Sequence, residues 1–135
     1  MKVFVDSDVV VSAIMSSAGA SHLLLTSQEI TPIISSTSYS ELTTVVKRLD
    51  LKIGKLDKLV REHLHKIELS DTTQYQKYVL DQNDAHIVAG AHLAKTKFLI
   101  TYNVKHFKID KIKEDLGIVI LTPGLLLQHL RSSFK

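Results

Sequence analysis

Apolar residues in this chain fall into two rhythms that alternate along it. The first is a short, unbroken run. Val3-Phe4-Val5, Pro32-Ile33-Ile34-Ser35, Phe98-Leu99-Ile100-Thr101 and Ile118-Val119-Ile120-Leu121 are runs of this kind. Their length and β-branched or aromatic content predict strands buried on both faces. Pro32 is tolerated because it opens its run. The second rhythm is helical. Val9-Val10-Val11 and Ala13-Ile14-Met15 predict a helix that breaks at Ser16-Ser17-Ala18-Gly19. Ser21 is placed to cap a short helix carrying Leu23, Leu24 and Leu25. Leu42, Val45, Val46 and Leu49 recur at i, i+3, i+4 and i+7, one face of a helix opened by Ser35–Ser38. Lys52–Lys66 repeats that spacing with Ile53, Leu56, Leu59, Val60, Leu64 and Ile67. Asp71-Thr72-Thr73 predicts a cap for a short helix through Tyr75, Tyr78 and Val79. Ala85 to Ala94 is small and apolar, suited to lying close against a sheet. Thr122-Pro123 predicts the last helix, with a cap followed by Pro at the first helical position.

Strands alternating with helices predict an α/β fold, a mostly parallel sheet of four to five strands with helices on both faces. The Val3–Val5 strand is expected at its centre. The long stretch between the second and third runs predicts a helical arm beside the sheet. At 135 residues, the expectation is one domain over residues 1–135. A hydrophobic content of 44% supports a real core. The net charge, 17 − 14 = +3, permits a polyanionic partner without requiring one. The chain has no cysteine, which excludes disulfides and thiolate metal sites and suits a reducing cytoplasm, the expected location. Asp6 and Asp8 interrupt the opening apolar run, so it lacks a signal-peptide layout. No apolar run approaches the roughly 20 residues of a membrane span.

The candidate chemistry is carried by acids at element ends. Asp6 follows the purest apolar run, so the first strand delivers a carboxylate to its C-terminal tip, the sheet edge where ligands gather in open α/β folds. Ser7 and Asp8 follow it, and either could simply cap the Val9 helix. Glu41 completes Ser38-x-x-Glu41, which reads equally as a capping box or as a functional acid. Asp84 could merely favour a helix N-terminus. It nevertheless shares a face with Val88 and Ala91 that should look at the sheet, where a lone acid is costly unless paired or coordinated. Asp81, one turn earlier, suits a cap or a supporting role. Asn103 follows the third run and carries no charge. These positions are expected to converge.

The seven histidines form no metal constellation by spacing. His63 and His65 diverge on a helix, as do His86 and His92. Oxygen-rich ligation without His or Cys points to Mg²⁺ or Mn²⁺ rather than Zn²⁺. Lysines and arginines recur at Lys47, Arg48, Lys52, Lys55, Lys58 and Arg61, and again at Lys95, Lys97, Lys105, Lys108, Lys111 and Lys113. Solvated helix faces account for most of them. The second group, Lys95, Lys97, Lys105 and Lys108 above all, is expected to flank the acids, where phosphate steering would be useful.

Four motifs in order resemble the PIN domain family, the metal-dependent ribonuclease fold of VapC-like toxins and RNA-processing nucleases. Val3-Phe4-Val5-Asp6-Ser7-Asp8-Val9-Val10 is similar to the family's opening, an apolar strand followed by Asp-Thr-Asn-Val-Leu or a close variant. Ser38-Tyr39-Ser40-Glu41-Leu42 resembles its second acidic motif. Asp84-Ala85-His86-Ile87-Val88-Ala89-Gly90-Ala91 resembles the third, an Asp followed by an Ala-rich helix. Phe98-Leu99-Ile100-Thr101-Tyr102-Asn103, with Phe107, resembles the fourth, a strand ending in Thr, any residue, then Asp. Asn103 departs from that Asp.

The resemblance implies a parallel α/β/α sheet and a nuclease site of Asp6, Glu41, Asp84 and Asn103. It implies Mg²⁺ or Mn²⁺ on Asp6, Glu41 and Asp84, with a second cation position weakened by Asn103. Ser7, Asp8, Asp81 and Thr101 would support these groups or contact phosphate. RNA is the implied substrate, and a second copy of the chain and an antitoxin protein are the implied partners. Two other readings compete. One is an inactive RNA-binding module on the same scaffold, favoured by the uncharged Asn103. The other is a haloacid-dehalogenase-like phosphatase, for which Asp6-Ser7-Asp8 would supply nucleophile and acid/base.

Overall fold

The computed structural model describes residues 1–133. Five strands alternate with seven helices: β1 (Lys2–Val5), α1 (Ser7–Met15), α2 (Ala20–Leu25), β2 (Thr31–Ser35), α3 (Ser36–Arg48), α4 (Ile53–His63), β3 (His65–Ile67), α5 (Ala85–Leu93), β4 (Phe98–Ile100), α6 (Ile109–Leu116), β5 (Val119–Leu121) and α7 (Pro123–Ser133). Short 3-10 turns cover Thr73–Tyr78, Gln82–Asp84 and Val104–His106. The sheet order is β3-β2-β1-β4-β5, and every pairing is parallel. The central place of β1 is as expected. No described helix is long and apolar enough to cross a membrane.

The unbroken apolar runs are explained by two separate cores. Val3, Val5, Ile34, Phe98 and Ile100 face one layer, formed with Val9, Val10, Leu24, Leu42, Leu56 and Leu126. Phe4, Ile33, Leu99 and Ile120 face the other, formed with Tyr75, Tyr78, Val88, Phe107 and Ile112. Alternate side chains point to opposite faces, and both faces are covered, so no polar alternation is left in the strands. The small residues of α5 let it approach β1 closely. A Cβ built on Gly90 would lie 2.3 Å from Cζ of Phe4, inside any tolerable contact. Gly117 ends α6 at φ 70°, the left-handed cap that glycine adopts without steric cost.

Three local expectations are corrected. Ser21 does not cap α2: Gly19 holds the cap position, and the Ser21 hydroxyl shares a 2.5 Å hydrogen bond with the Tyr102 hydroxyl. The capping box at Ser38-x-x-Glu41 does not form, because α3 starts earlier. Ser35 is its N-cap and accepts from the Ser38 N–H at 3.0 Å. Glu41 is thereby released from a capping duty. The helix expected over Lys52–Lys66 stops at His63, and His65–Ile67 becomes the edge strand β3, paired with β2. The insert still carries the helices α3 and α4 beside the sheet; α4 buries Leu56 and Leu59 in the first core, and the chain then returns to the sheet.

Candidate active site

The strand order reverses direction at β1: β2 and β3 lie on one side, β4 and β5 on the other. The crevice at the C-terminal ends of β1 and β4 is the switch point of this sheet, the usual ligand site of open α/β folds. Asp6 leaves β1 there, and Thr101 to Asn103 leave β4 beside it. The Asp6 N–H bonds the Ile100 carbonyl at 2.9 Å, which locks the two strand ends together. Asp6 is only 8% exposed. One carboxylate oxygen accepts from the Ser7 N–H at 2.7 Å and the other from the buried Thr101 hydroxyl at 2.8 Å.

Asp8 organises the turn after β4. Its Oδ2 accepts from the Tyr102 N–H at 3.0 Å, from Asn103 Nδ2 at 3.0 Å and, longer, from the Thr101 hydroxyl at 3.4 Å. The Asn103 N–H in turn donates to Thr101 Oγ1 at 3.0 Å. Across the crevice, Asp84 stands at the N-cap position of α5 but makes no capping hydrogen bond. Its carboxylate lies 3.7 Å from His106 Nδ1. Glu41, on α3, places Oε1 3.0 Å from Nε2 of His86, a buried residue of α5. Asp81 is exposed and caps the short turn before α5 by accepting from the Asn83 N–H.

Asp6 and Asp8 from the β1–α1 turn, Glu41 from α3 and Asp84 from the start of α5 thus stand around one strand end, with the uncharged Asn103 beside them. The sequence model of the PIN domain family matches residues 2–105. The chain belongs to the PIN domain family. Solved structures similar to this PIN domain include VapBC2 from Rickettsia felis bound to a promoter DNA fragment, with 22% identity, TM-score 0.64, and 90% of this chain and 98% of that one covered. A toxin-antitoxin complex from Klebsiella pneumoniae is similar at 21% identity, TM-score 0.65, with 90% and 97% covered. VapBC-1 from nontypeable Haemophilus influenzae follows at 14% identity, TM-score 0.60, with 92% and 99% covered. No curated protein matches the chain. With the family shown, the phosphatase alternative falls away.

The charges of the PIN site press on one another. Burial pushes the Asp6 carboxyl up to about 6, and repulsion from Asp8 and Asp84 adds to it against the pull of Thr101 and the Ser7 N–H. Asp8 is also raised, by burial, against the donors it accepts. Asp84 is raised by burial, with His106 and His86 opposing and Asp81 and Glu41 assisting. Asp8, Asp6, Asp84 and Glu41 are therefore linked electrostatically as one group.

A second observation concentrates here. Among the described residues, Ser7 Oγ, Asp8 Oδ1 and His86 Nδ1 are buried without a hydrogen-bond partner. Unpaired buried polar atoms are costly and native structures keep few. These belong to the acid crevice or touch Glu41, where a ligand or water would satisfy them. Among the described residues, no three His, Asp or Glu side chains converge closely enough to hold an ion as they stand.

The four lysines divide. Lys105 and Lys108 are exposed on the segment after β4, next to His106. Lys95 and Lys97 precede β4, and Lys97 offers its carbonyl to the start of β5. They lie at the opposite, N-terminal edge of the sheet and do not flank the acids. Two contacts have no counterpart in the sequence pattern: His86 with Glu41, and His106 with Asp84. The usable signal is position, because each histidine stands two or three residues beyond a motif residue, Asp84 or Asn103.

Proposed function

We propose that this protein is a metal-dependent endoribonuclease working at the Asp6 crevice. The observation that supports it most is Asp6 itself. A buried carboxylate at a strand tip, repelled by two other acids, is costly to ionise, and a bound cation would offset that cost. The donor set is carboxylate oxygen, which suits a hard cation such as Mg²⁺ or Mn²⁺. Asp6, Glu41 and Asp84 would hold it. When bound, such an ion acts as Lewis acid on a phosphodiester and lowers the pKa of a bound water.

The protein's own contributions follow from its contacts. Thr101 and the Ser7 N–H fix the orientation of Asp6, so its remaining lone pairs face the crevice. His86 engages one oxygen of Glu41 at 3.0 Å and leaves the other free, while His106 stands 3.7 Å from one oxygen of Asp84. The unpartnered Ser7 hydroxyl is free to meet a phosphate oxygen. Lys105 and Lys108 can attract the RNA backbone. The similar structures that are toxin-antitoxin complexes support an antitoxin protein as partner, and the family resemblance supports a second copy of the chain.

Purified protein should cleave single-stranded RNA with Mn²⁺ or Mg²⁺ and stop on chelation. Asp6→Asn should abolish cleavage without unfolding the chain. Cleavage by Asp6→Asn at the wild-type rate would remove Asp6 from the mechanism. RNA retained but left intact under every metal condition would favour the binding-module reading. Light scattering, alone and after co-expression with the neighbouring reading frame, tests the two partners.

A further inference from the structure

The uncharged Asn103 leaves open where the fourth acidic charge of the crevice resides. Asp81 would be the obvious substitute, but it is exposed and occupied as a cap. Asp8 is the better placed. It lies directly against Asn103, with Asn103 Nδ2 donating to Asp8 Oδ2 at 3.0 Å. That bond fixes the amide's orientation: its nitrogen is spent on Asp8. The same Oδ2 takes the Tyr102 N–H, so Oδ2 is saturated by the loop. Oδ1 is the opposite case, buried and, among the described residues, without a well-formed hydrogen bond. Asp8 thus has one oxygen that holds the loop and one that the loop leaves uncommitted, on a carboxylate that shares the Thr101 hydroxyl with Asp6.

The two motifs, set side by side, have the same form. The opening resembles a pattern with Asn where Asp8 stands, and the fourth motif resembles one with Asp where Asn103 stands. Set against those patterns, the acid and the amide here stand on opposite sides of a single hydrogen bond. One acid and one amide in contact make the same bond in either arrangement, and the crevice keeps its total charge.

Resting on the metal-nuclease reading above, we propose that Asp8 carries the fourth functional carboxylate of this site, offering Oδ1 to the cation or its water shell. Asn103 is a positioning residue that clamps Asp8 through Nδ2. The pair is exchangeable: the acid works from either side of the bond, but both sides cannot be acidic without repulsion, and neither can be dispensed with.

The test is an exchange series on the full chain: wild type, Asp8→Asn, Asn103→Asp and the double variant Asp8→Asn/Asn103→Asp. Each is melted without metal and across a Mn²⁺ titration, because a cation that binds only the folded state raises Tm. Cleavage of single-stranded RNA is followed in parallel. Asp8→Asn should raise the Mn²⁺ concentration for the half-maximal Tm shift by at least about tenfold, an unambiguous step on an affinity scale. Asn103→Asp should melt lower than wild type without metal and show the largest Mn²⁺-induced rise. The double variant should return both the metal-free Tm and the Mn²⁺ midpoint to near wild type, the midpoint to within about threefold, as expected of coupled residues in contact.

A purely structural Asp8 gives a different result: Asp8→Asn would lower the metal-free Tm and leave the Mn²⁺ midpoint unchanged, which overturns the proposal. A folded double variant that lacks the Mn²⁺ response also overturns it, and that arm decides the matter if Asp8→Asn alone does not fold. Wild type with no Mn²⁺ response at all would instead refute the metal reading on which the proposal rests. Asp6→Asn, run alongside, identifies that case, since it should then melt identically with and without Mn²⁺, as wild type does.

Discussion

Asp6 shows what a single residue can reveal and what it hides. An apolar run ending in an acid is enough to mark it, because no ordinary solvated turn requires three buried residues in front of it. Glu41, Asp84 and Asn103 are visible by the same logic of element ends. Their partners are not. Asp8 contacts Asn103 across 95 positions of sequence, and His86 meets Glu41 from another helix. No local pattern encodes such contacts. The raised Asp6 carboxyl has a consequence for stability. Between its ordinary value of 3.8 and its folded value of about 6, the folded chain binds more protons than the unfolded one. Metal-free stability therefore falls as pH rises through that window and is level above it. The full effect is roughly 3 kcal/mol for Asp6, and the raised Asp8 and Asp84 act in the same direction. Asp6→Asn removes the largest part. Metal-free Tm of this variant should exceed wild type at pH 7 and vary less between pH 4 and 6. Parallel Tm–pH curves for the two proteins would show that Asp6 does not titrate in this range.

Elements are most legible where two cues agree. β1, β2, β4 and β5 have apolar runs and flanking turn chemistry, and all four form. β3 is hidden because Leu64 and Ile67 satisfy helical spacing while His65 and Lys66 look like a solvated face. An edge strand of three residues needs no apolar run, and charged or polar side chains suit an edge that should not pair further. The start of α3 is blurred for a related reason: Ser35, Ser36 and Ser38 can each cap, and only the backbone decides among them. The small-residue run of α5 reads as a close-packing helix, and Gly90 against Phe4 gives the reason. Gly90→Ala gains helix propensity, worth about 1 kcal/mol in an open helix. Here the added methyl must displace the Phe4 ring under the central strand, and overpacking typically costs about 1–3 kcal/mol. Urea denaturation should show net destabilisation, and Phe4→Leu in the Gly90→Ala background should recover part of it. A Gly90→Ala protein more stable than wild type would mean that the ring moves aside freely.

At the scale of the whole molecule, the sheet separates charges that sequence proximity joins. Lys95, Lys97, Lys105 and Lys108 span only a short length of chain, yet β4 runs between the two pairs and carries them to opposite edges. A net charge of +3 is too small to pull in a polyanion from every side, so where the lysines sit governs how RNA approaches the crevice. Lys105 and Lys108 follow the strand end that delivers Asn103, and His106 between them faces Asp84. Lys95 and Lys97 stand a strand length away, past the buried layer of Leu99. Reversing Lys105 and Lys108 to Glu should weaken RNA binding. It should also flatten its salt dependence, by about 0.7 in the log–log slope for each single-strand phosphate that the protein no longer neutralises. Reversing Lys95 and Lys97 changes net charge by the same amount. At low salt it should weaken binding slightly through the long-range field, with the slope preserved. The measurement is RNA affinity of both double variants, in the Asp6→Asn background to prevent cleavage, from low to moderate salt. Equal weakening and equal slopes in the two would mean that RNA responds to net charge alone and that the edge carrying Lys105 and Lys108 holds no privileged contact.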